Sequence, residues 1–545
     1  MAPVTQGVQA NSSAIPLGVE ILLGHEDTID EKELEELLRG LFVDLALDVV
    51  PQIGIKAATD DLSRLRIRVA GQPCPVKWVD AGPSAEPAQI TLARRVAASV
   101  YANADLLITS DVALRAAASV GSLLERMGAE AWTSVLRFLV ERGFRVDRTT
   151  TLSSAKVDSA DALSVVDLLL NELGATRVEL SLGSMLYQLL VGETGIARLI
   201  MLTDGMFYDH GVFIPKPTLI LDWELNESEF RLRLNDCRGM PEYGLLAEEI
   251  LVEEHPDALR KQGLSGRGCR FRWSRRIFTV LRYDRVQELP EKYFTWDAAE
   301  YVVLRTAHIL KERIGDLLTP AVGALMLTNV KAAFPAIFSA LQARITLGTF
   351  AGILRTLLDS GICVRNLPAI IESILSIQST YYTLEDAELI SVARFGMRRI
   401  WRDRSPSELE IDDYVEVVRE DIRAWIKHTL APDGILYAVA PPEVLISLLR
   451  KNRGWLAPMD RERLAEGLDA LVCESSHENG GYGDRAANLC ILAPNDVRSP
   501  LQRYVRKTHA FLSVVSPSDL DSGIYVESLG EIAWNRGNEC NCEEQ

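Results

Sequence analysis

One stretch, FAGILRTLLDSGICVRNLPAIIESIL from Phe350 to Leu375, restricts the possible folds more than any other. Ile353, Leu354, Leu357 and Leu358 recur at helical spacing, so one face of the segment requires burial. Gly361 stops the helix, because glycine takes the left-handed conformation without a Cβ penalty. Ile362 and Val364 then alternate with Cys363 and Arg365 in a short extended link. Asn366 caps a second helix that begins through Leu367 and Pro368, where a missing amide hydrogen costs nothing. The stretch predicts helix, extended link and capped helix. A DNA-reading helix-turn-helix has a tighter turn and a polar second helix. Here the second helix carries Ala369, Ile370, Ile371 and Ile374, a core face, which leaves a helical pair packed into a larger body.

A chain of 545 residues provides for several such bodies. Its net charge of −18 argues against a general nucleic-acid binder, which needs basic surface to displace counterions. The opening MAPVTQGVQANSSAIPLG has neither the basic start nor the apolar core of a signal peptide. The most apolar segment, around Leu106 to Leu124, is interrupted by Asp111 and Arg115, so a soluble, cytoplasmic protein is expected. The eight cysteines are scattered. Cys473 with His477 and Cys540 with Cys542 are near pairs without a matching second pair, so neither a metal site nor a disulfide framework is expected.

Residues 1–17 are polar and expected to be disordered. LGVEILLG then reads as a strand and DEKELEELLRGLFVDLAL as an acidic-started amphipathic helix. VVPQIGIKA and RLRIRVAG read as a strand pair, with Leu65, Ile67 and Val69 on one face and Arg66 and Arg68 on the other. Residues 89–160 are mostly helical. This block then recurs. VELSLGSMLYQLL from Val178 echoes the first strand, and FIPKPTLILDWELNESEFRLRLND from Phe213 echoes VVPQIGIKAATDDLSRLRIRVAG from Val49. Pro215 falls over Pro51, and Arg231 and Arg233 fall over Arg66 and Arg68. LRFLVERGFRVDR from Leu136 aligns without gaps to LRTLLDSGICVRN from Leu354, bringing Gly143 onto Gly361 and Val146 onto Val364. The pattern predicts a tandem duplication whose first copy is the shorter.

Between the blocks, residues 240–275 read as a small insertion. Its stretch GLSGRGCRFRWSRRIF, from Gly263, has the basic-aromatic mix of an RNA contact. The favoured reading is a strand with Cys269, Phe271 and Trp273 inward and Arg270 and Arg272 outward. His308 lies on an apolar helix face between Val303 and Ile309 and is expected to be a satisfied core histidine. Thr383 and Asp386 stand at capping-box spacing. SPSELEIDDYVEVVREDIRAWIKHTL is predicted as one helix, acidic early and basic late in accord with the helix dipole. Strands at ILYAVA, NLCILAP and FLSVVS then alternate with helices near 442–450, 460–473 and 498–508, which predicts an α/β subdomain. ENGGYGD (478–484) lacks the lysine and hydroxyl of a phosphate loop and reads as a flexible connection. WNRGNECNCEEQ reads as a polar tail.

No metalloprotease, nucleophile-elbow, Walker or dinucleotide motif is present, and a non-enzymatic role without cofactor, catalytic residue or metal is expected. The acidic neighbours Asp412–Asp413 and Glu248–Glu249 are adjacent, so on a helix they diverge rather than converge. They read as solvated surface.

Residues 290–400 resemble the helical subdomain of the FHIPEP family, the flagellar and virulence type III export-gate proteins of the FlhA type. The segments FPAIFSAL from Phe334, GILRTLL from Gly352 and GICVRNLPAIIESI from Gly361 follow in the family's order. MFYDHGVFIPKPTLILDWELNESEFRLRLND resembles the family's helix end, proline pair and paired strands. PNDVRSPLQRYVRKTHAFLSVVSPSDL resembles its last subdomain. The resemblance implies an α+β, multi-subdomain chain: a mixed α/β subdomain over 161–285 with the small insertion, a helical subdomain over 286–404 and a C-terminal α/β subdomain over 405–535. A partial, degenerate repeat of the first two would precede them over 18–160. It further implies a ring-forming docking platform for export substrates or their chaperones, received in a dimple to which Asp209, Val212 and Phe213 correspond by position, with a core place at the head of a strand as the other reading of Val212. Family members start with transmembrane helices that this chain lacks, so a separate membrane component is the expected partner. A cytosolic scaffold that has left secretion is the alternative, and chemistry of an unseen kind a third.

Overall fold

The computed structural model describes residues 15–24, 27–47, 49–57, 65–77, 87–116, 125, 127–151, 165–166, 169, 177–271, 276–289, 293–377, 409–431, 434–452, 454–477, 489–520 and 523–534. The capping box at Thr383, the connection at 478–484, the polar tail, the side chains of Phe271 and Trp273, and the Cys540–Cys542 pair lie outside the described residues. So do the side chain of His477 and most of the polar start. Ile15 to Leu17, expected to be disordered, belong to the first strand.

The chain forms two compact units. The first comprises Met1–Val79, Glu86–Leu169 and the six-residue segment Asn235–Met240; the second comprises the remainder. In the first, β1 (Ile15–Leu23), α1 (Glu31–Asp44), β2 (Val49–Ala57), β3 (Arg66–Val69) and β4 (Gln72–Cys74) precede α2 (Ala88–Ala102), α3 (Ser110–Ala116) and α4 (Ala129–Glu141). The sheet runs β2-β1-β3-β4, with β1 parallel to β2 and antiparallel to β3. The two strands read as a pair from sequence therefore flank β1 instead of each other. The helix between β1 and β2 makes a crossover, and a crossover places strands parallel. Asp30 caps α1 by accepting the Glu33 amide at 3.0 Å. Leu34, Leu38, Leu41 and Phe42 of α1 pack inward, as do Ile67 and Val69, on the face expected from the alternation.

The second unit opens with β5 (Val178–Leu182), α5 (Ser184–Val191), α6 (Glu193–His210), β6 (Thr218–Leu221) and β7 (Glu229–Leu234). The segment Asn235–Met240 of the first unit carries β8 (Cys237–Arg238). Within the second unit the strand order is β6-β5-β7, and β5 is parallel to β6 and antiparallel to β7. The order and the partners of the central strand are those of the first sheet. After β9 (Glu242–Tyr243), which pairs with β7, come β10 (Glu249–Val252), α7 (Pro256–Arg260), β11 (Arg267–Phe271), β12 (Arg276–Arg282) and β13 (Thr295–Trp296). Strands β10 to β13 make a separate sheet ordered β11-β12-β10-β13, so the small insertion continues to Trp296. Cys269 points inward, as the strand reading requires. Glu249 stands on a strand, takes the Leu246 amide at 3.0 Å and pairs with Arg267 at 3.4 Å, which corrects its reading as plain solvated surface.

The helical layer contains α8 (Ala298–Glu312), α9 (Pro320–Ala333), α10 (Pro335–Gln342), α11 (Leu347–Asp359) and α12 (Leu367–Ser376). Ile353, Leu354, Leu357 and Leu358 of α11, with Ile370, Ile371 and Ile374 of α12, are buried in one core with Val178, Leu180 and Leu182 of β5. The segment expected to be one helix after residue 405 breaks at Ile422 into α13 (Ile411–Asp421) and α14 (Arg423–Leu430). There follow β14 (Ile435–Ala440), α15 (Glu443–Lys451), α16 (Pro458–His477), β15 (Leu489–Leu492), α17 (Asn495–Thr508), β16 (Ser513–Val515) and β17 (Tyr525–Glu531). This all-parallel sheet runs β16-β15-β14-β17 and confirms the α/β reading.

Arg419 of α13 makes two hydrogen bonds to Asp519, at 2.8 and 2.6 Å, with both residues 1% exposed. Arg498 of α17 pairs with Glu416, and Ser499 donates to Asp412 at 2.8 Å, so Asp412 too is tied down instead of solvated. These pairs tie α13 to α17 and to the turn that follows β16. Among the described residues no single helix is long and apolar enough to cross a membrane.

Candidate partner-binding surface

Helix α6 buries Gly195, Leu199, Leu202, Met206 and His210, a stripe at helical spacing. Its opposite face, Ile200, Met201, Asp204 and Tyr208, is left to solvent, with Met201 and Tyr208 72% and 65% exposed. Arg198 fixes the orientation of the helix. It reaches Asp297 at 3.1 Å and Glu300 at 3.0 Å, the two residues of the capping box that opens α8. A guanidinium on two carboxylates at a helix N-terminus adds to the cap's own contribution of about 1 kcal/mol.

The helix ends at Gly211, whose φ of 79° is the left-handed conformation that glycine alone adopts without strain. The ending also needs a residue without a side chain, because a Cβ there would lie 2.2 Å from the Arg365 amide nitrogen. This close approach lets the His210 carbonyl accept the Val364 amide at 2.9 Å. The link after Gly361 is thereby sewn onto the end of α6. Asn366 caps α12, as expected, through the Ala369 amide at 3.4 Å.

Around this junction the structure brings together Asp209, Tyr208, Phe207, Phe213 and Arg365. Phe213 is exposed and stacks on Phe207 with ring centroids 4.4 Å apart. The Arg365 guanidinium donates to the Tyr208 carbonyl at 3.1 Å and sits 6.0 Å over the Tyr208 ring. Asp209 is exposed and makes no hydrogen bond or ion pair among the described residues. Val212 is not part of this surface. Its side chain is 0% exposed in the core at the head of the following strand, which corrects its expected place among the binding residues. Helical periodicity explains the correction: the three preceding buried positions, Leu202, Met206 and His210, lead inward, and the chain turns through Gly211 to continue them.

Tyr208, Phe207, Met201 and Arg365 were not singled out from the sequence. The available signal was apolar residues at Ile200, Met201 and Tyr208 on the side of α6 opposite its buried stripe. Burial, with Lys311 adding to it, lowers the His210 imidazole to about 4, so it is neutral beneath the surface. His308 is lowered to about 3 by burial and then by Arg305 and Lys311, in keeping with its expected packing role. Burial pushes the Cys363 thiol up, and the Asp209 charge acts in the same direction.

The second unit thus carries a multi-subdomain α/β frame with an acid-and-aromatic face at the junction of its first and helical layers. The FHIPEP family matches residues 89–525, and the chain belongs to that family. A relative, Protein hrpC2 of Xanthomonas euvesicatoria, is 24% identical over 217 residues, 38% of this chain and 28% of that protein. The chain thus matches well under two thirds of that relative's length. The CdsV protein of Chlamydia pneumoniae, solved in complex with CdsO, shares the fold at a TM-score of 0.51 and 17% identity, covering 66% of this chain and 97% of that one. The Shigella flexneri MxiA protein aligns at a TM-score of 0.46 and 18% identity, over 65% of this chain and 98% of that one.

Proposed function

We propose that this chain is a protein-docking platform of a type III secretion-like export apparatus. The face formed by Asp209, Tyr208, Phe213 and Arg365 receives export substrates or their chaperones. The observation that carries the reading is an uncompensated carboxylate beside exposed aromatic rings, held on a helix end that a glycine and a backbone hydrogen bond make rigid. Exposed aromatic residues ringed by charge are what protein interfaces use as anchors. Membership in the FHIPEP family and the CdsV–CdsO complex support the same direction. On this reading the chain works by binding in the cytoplasm, without catalysis or a cofactor. A separate membrane component and further copies of the chain, arranged as a ring, complete the assembly.

The test is affinity purification from the native cell, with wild type beside Asp209→Lys and Phe213→Ser, and mass spectrometry of what is retained. Export chaperones, substrates or membrane export components held by wild type and lost from both variants are expected. Recovery of no secretion component by wild type overturns the reading in favour of a scaffold outside secretion. Equal recovery by all three baits moves the docking face elsewhere.

A further inference from the structure

The first unit contains the same junction in a second state. Asp44 stands two residues ahead of a left-handed residue, Ala46 at φ 54°, as Asp209 stands ahead of Gly211 at φ 79°. The carbonyl between them binds the link in both cases: Leu45 accepts the Val146 amide at 3.0 Å, and His210 accepts the Val364 amide at 2.9 Å. Each link leaves a left-handed glycine, Gly143 or Gly361, both at φ 75°. The amide after that glycine returns to the helix in both, Phe144 to Leu139 at 2.9 Å and Ile362 to Leu357 at 3.0 Å.

What differs is occupancy. In the first unit, Arg238 covers Asp44, donating its main-chain amide at 3.2 Å and its Nε at 3.0 Å. Asp236, at the other end of the same turn, accepts Arg148 Nε at 2.9 Å and the Arg145 amide at 3.4 Å. The turn therefore presents an acid and, two residues later, an arginine, and the junction answers with basic groups on the link and an acid on the helix. In the second unit, Asp209 stands where Asp44 does, and the charge on the link is Arg365, one residue after Val364 at the position of Asp147; both Asp209 and Arg365 are exposed.

We propose that the Asp209–Arg365 face is a receptor for a β-turn of a partner protein carrying the sequence Asp-x-Arg. The arginine of that turn pairs with Asp209, its acid meets Arg365, and Asn235–Arg238 in the first unit shows the bound form. This rests on the docking reading above and gives the partner's contact a chemistry. A charged hydrogen-bonded pair accounts for specificity and association rate, while the flanking Tyr208 and Phe213 supply apolar contact.

The probe is a head-to-tail cyclised peptide of the sequence Leu234–Met240, fluorescently labelled and titrated against the whole protein by anisotropy. Saturable binding that weakens with salt is expected. Asp209→Asn is expected to lower the affinity about tenfold or more, and so is replacement of the peptide's arginine by glutamine. The two changes together should cost little more than either alone. Binding that ignores Asp209→Asn, binding that ignores the peptide's arginine, or no binding at all overturns the inference. So does binding abolished by Asp44→Asn alone, with Asp209 intact, because it means the peptide displaces Arg238 in the first unit. Asp209 is exposed and has no hydrogen bond or ion pair among the described residues, so its variant folds. If the peptide fails while partners are still captured in an Asp209-dependent way, only the turn chemistry is refuted; if both fail, the docking reading fails with it.

Discussion

Gly211→Ala tests the whole junction. Two costs follow from the structure. A residue with a Cβ held at φ 79° loses about 1 kcal/mol relative to glycine. The new Cβ would also stand 2.2 Å from the Arg365 nitrogen and 2.5 Å from its Cα, and both are backbone atoms that no rotamer change moves. The link must withdraw, which breaks the Val364 to His210 hydrogen bond and leaves a buried amide and carbonyl short of a partner, at about 2 kcal/mol. The sum is about 3 kcal/mol, or two orders of magnitude in a local opening equilibrium. Hydrogen exchange read by mass spectrometry is the suitable assay, because a chain of two units has no single unfolding free energy. Peptides covering residues 362–368 should exchange about 100-fold faster in the variant. Gly192→Ala is the control: its φ is −68° and a Cβ there meets nothing within 4 Å. Equal protection of the link in both variants refutes the argument that close backbone approach holds it.

Two further outcomes follow. His210 is neutral in the fold down to about pH 4, whereas its ordinary value is 6.5, so the unfolded chain binds more protons between those values. Stability is therefore full above pH 6.5 and falls by about 3 kcal/mol as pH drops toward 4. His210→Phe should flatten that part of a curve of hydrogen-exchange protection factors for α6 peptides against pH. Asp519→Asn removes one half of the buried Arg419 pair and should destabilise the C-terminal α/β layer by about 3 to 5 kcal/mol, seen as faster proteolysis there. Arg419→Met with Asp519→Leu should recover only part of the loss, because the buried Ser516 amide and hydroxyl also donate to Asp519.

Much of the frame was legible because its signals are local. The apolar spacing in α11, the Gly361 stop and the Asn366 cap each depend on residues within one or two turns, and each appears where expected. The parallel C-terminal sheet was legible for the same reason: short apolar strands alternate there with charged-ended helices. The errors share the opposite cause. Strands β2 and β3 each look like the other's hairpin partner until β1, far earlier in the chain, is inserted between them. The break at Ile422 has no glycine or proline to announce it. It falls where α13 is held by Asp519, 100 residues away from Arg419.

The surface shows the same limit more sharply. Asp209 and Phe213 were named by position from the family resemblance, and both lie exposed at the end of α6. Val212 had two readings, a binding residue by position or a core residue at the head of a strand, since local pattern does not tell whether a residue after a left-handed glycine turns inward; it is buried. Asp44 and Asp209 are both aspartates near the end of an amphipathic helix, each followed by a strand with a proline in it or just ahead of it. Nothing within ten residues of either distinguishes a filled site from an open one. The difference is made by Arg238, 194 residues beyond Asp44, whose amide and guanidinium fill the first site. Whether an acid at such a junction is structural or available to a partner is therefore decided by what the fold brings back to it. The Asp209 face is open because no arginine among the described residues is returned to its carboxylate.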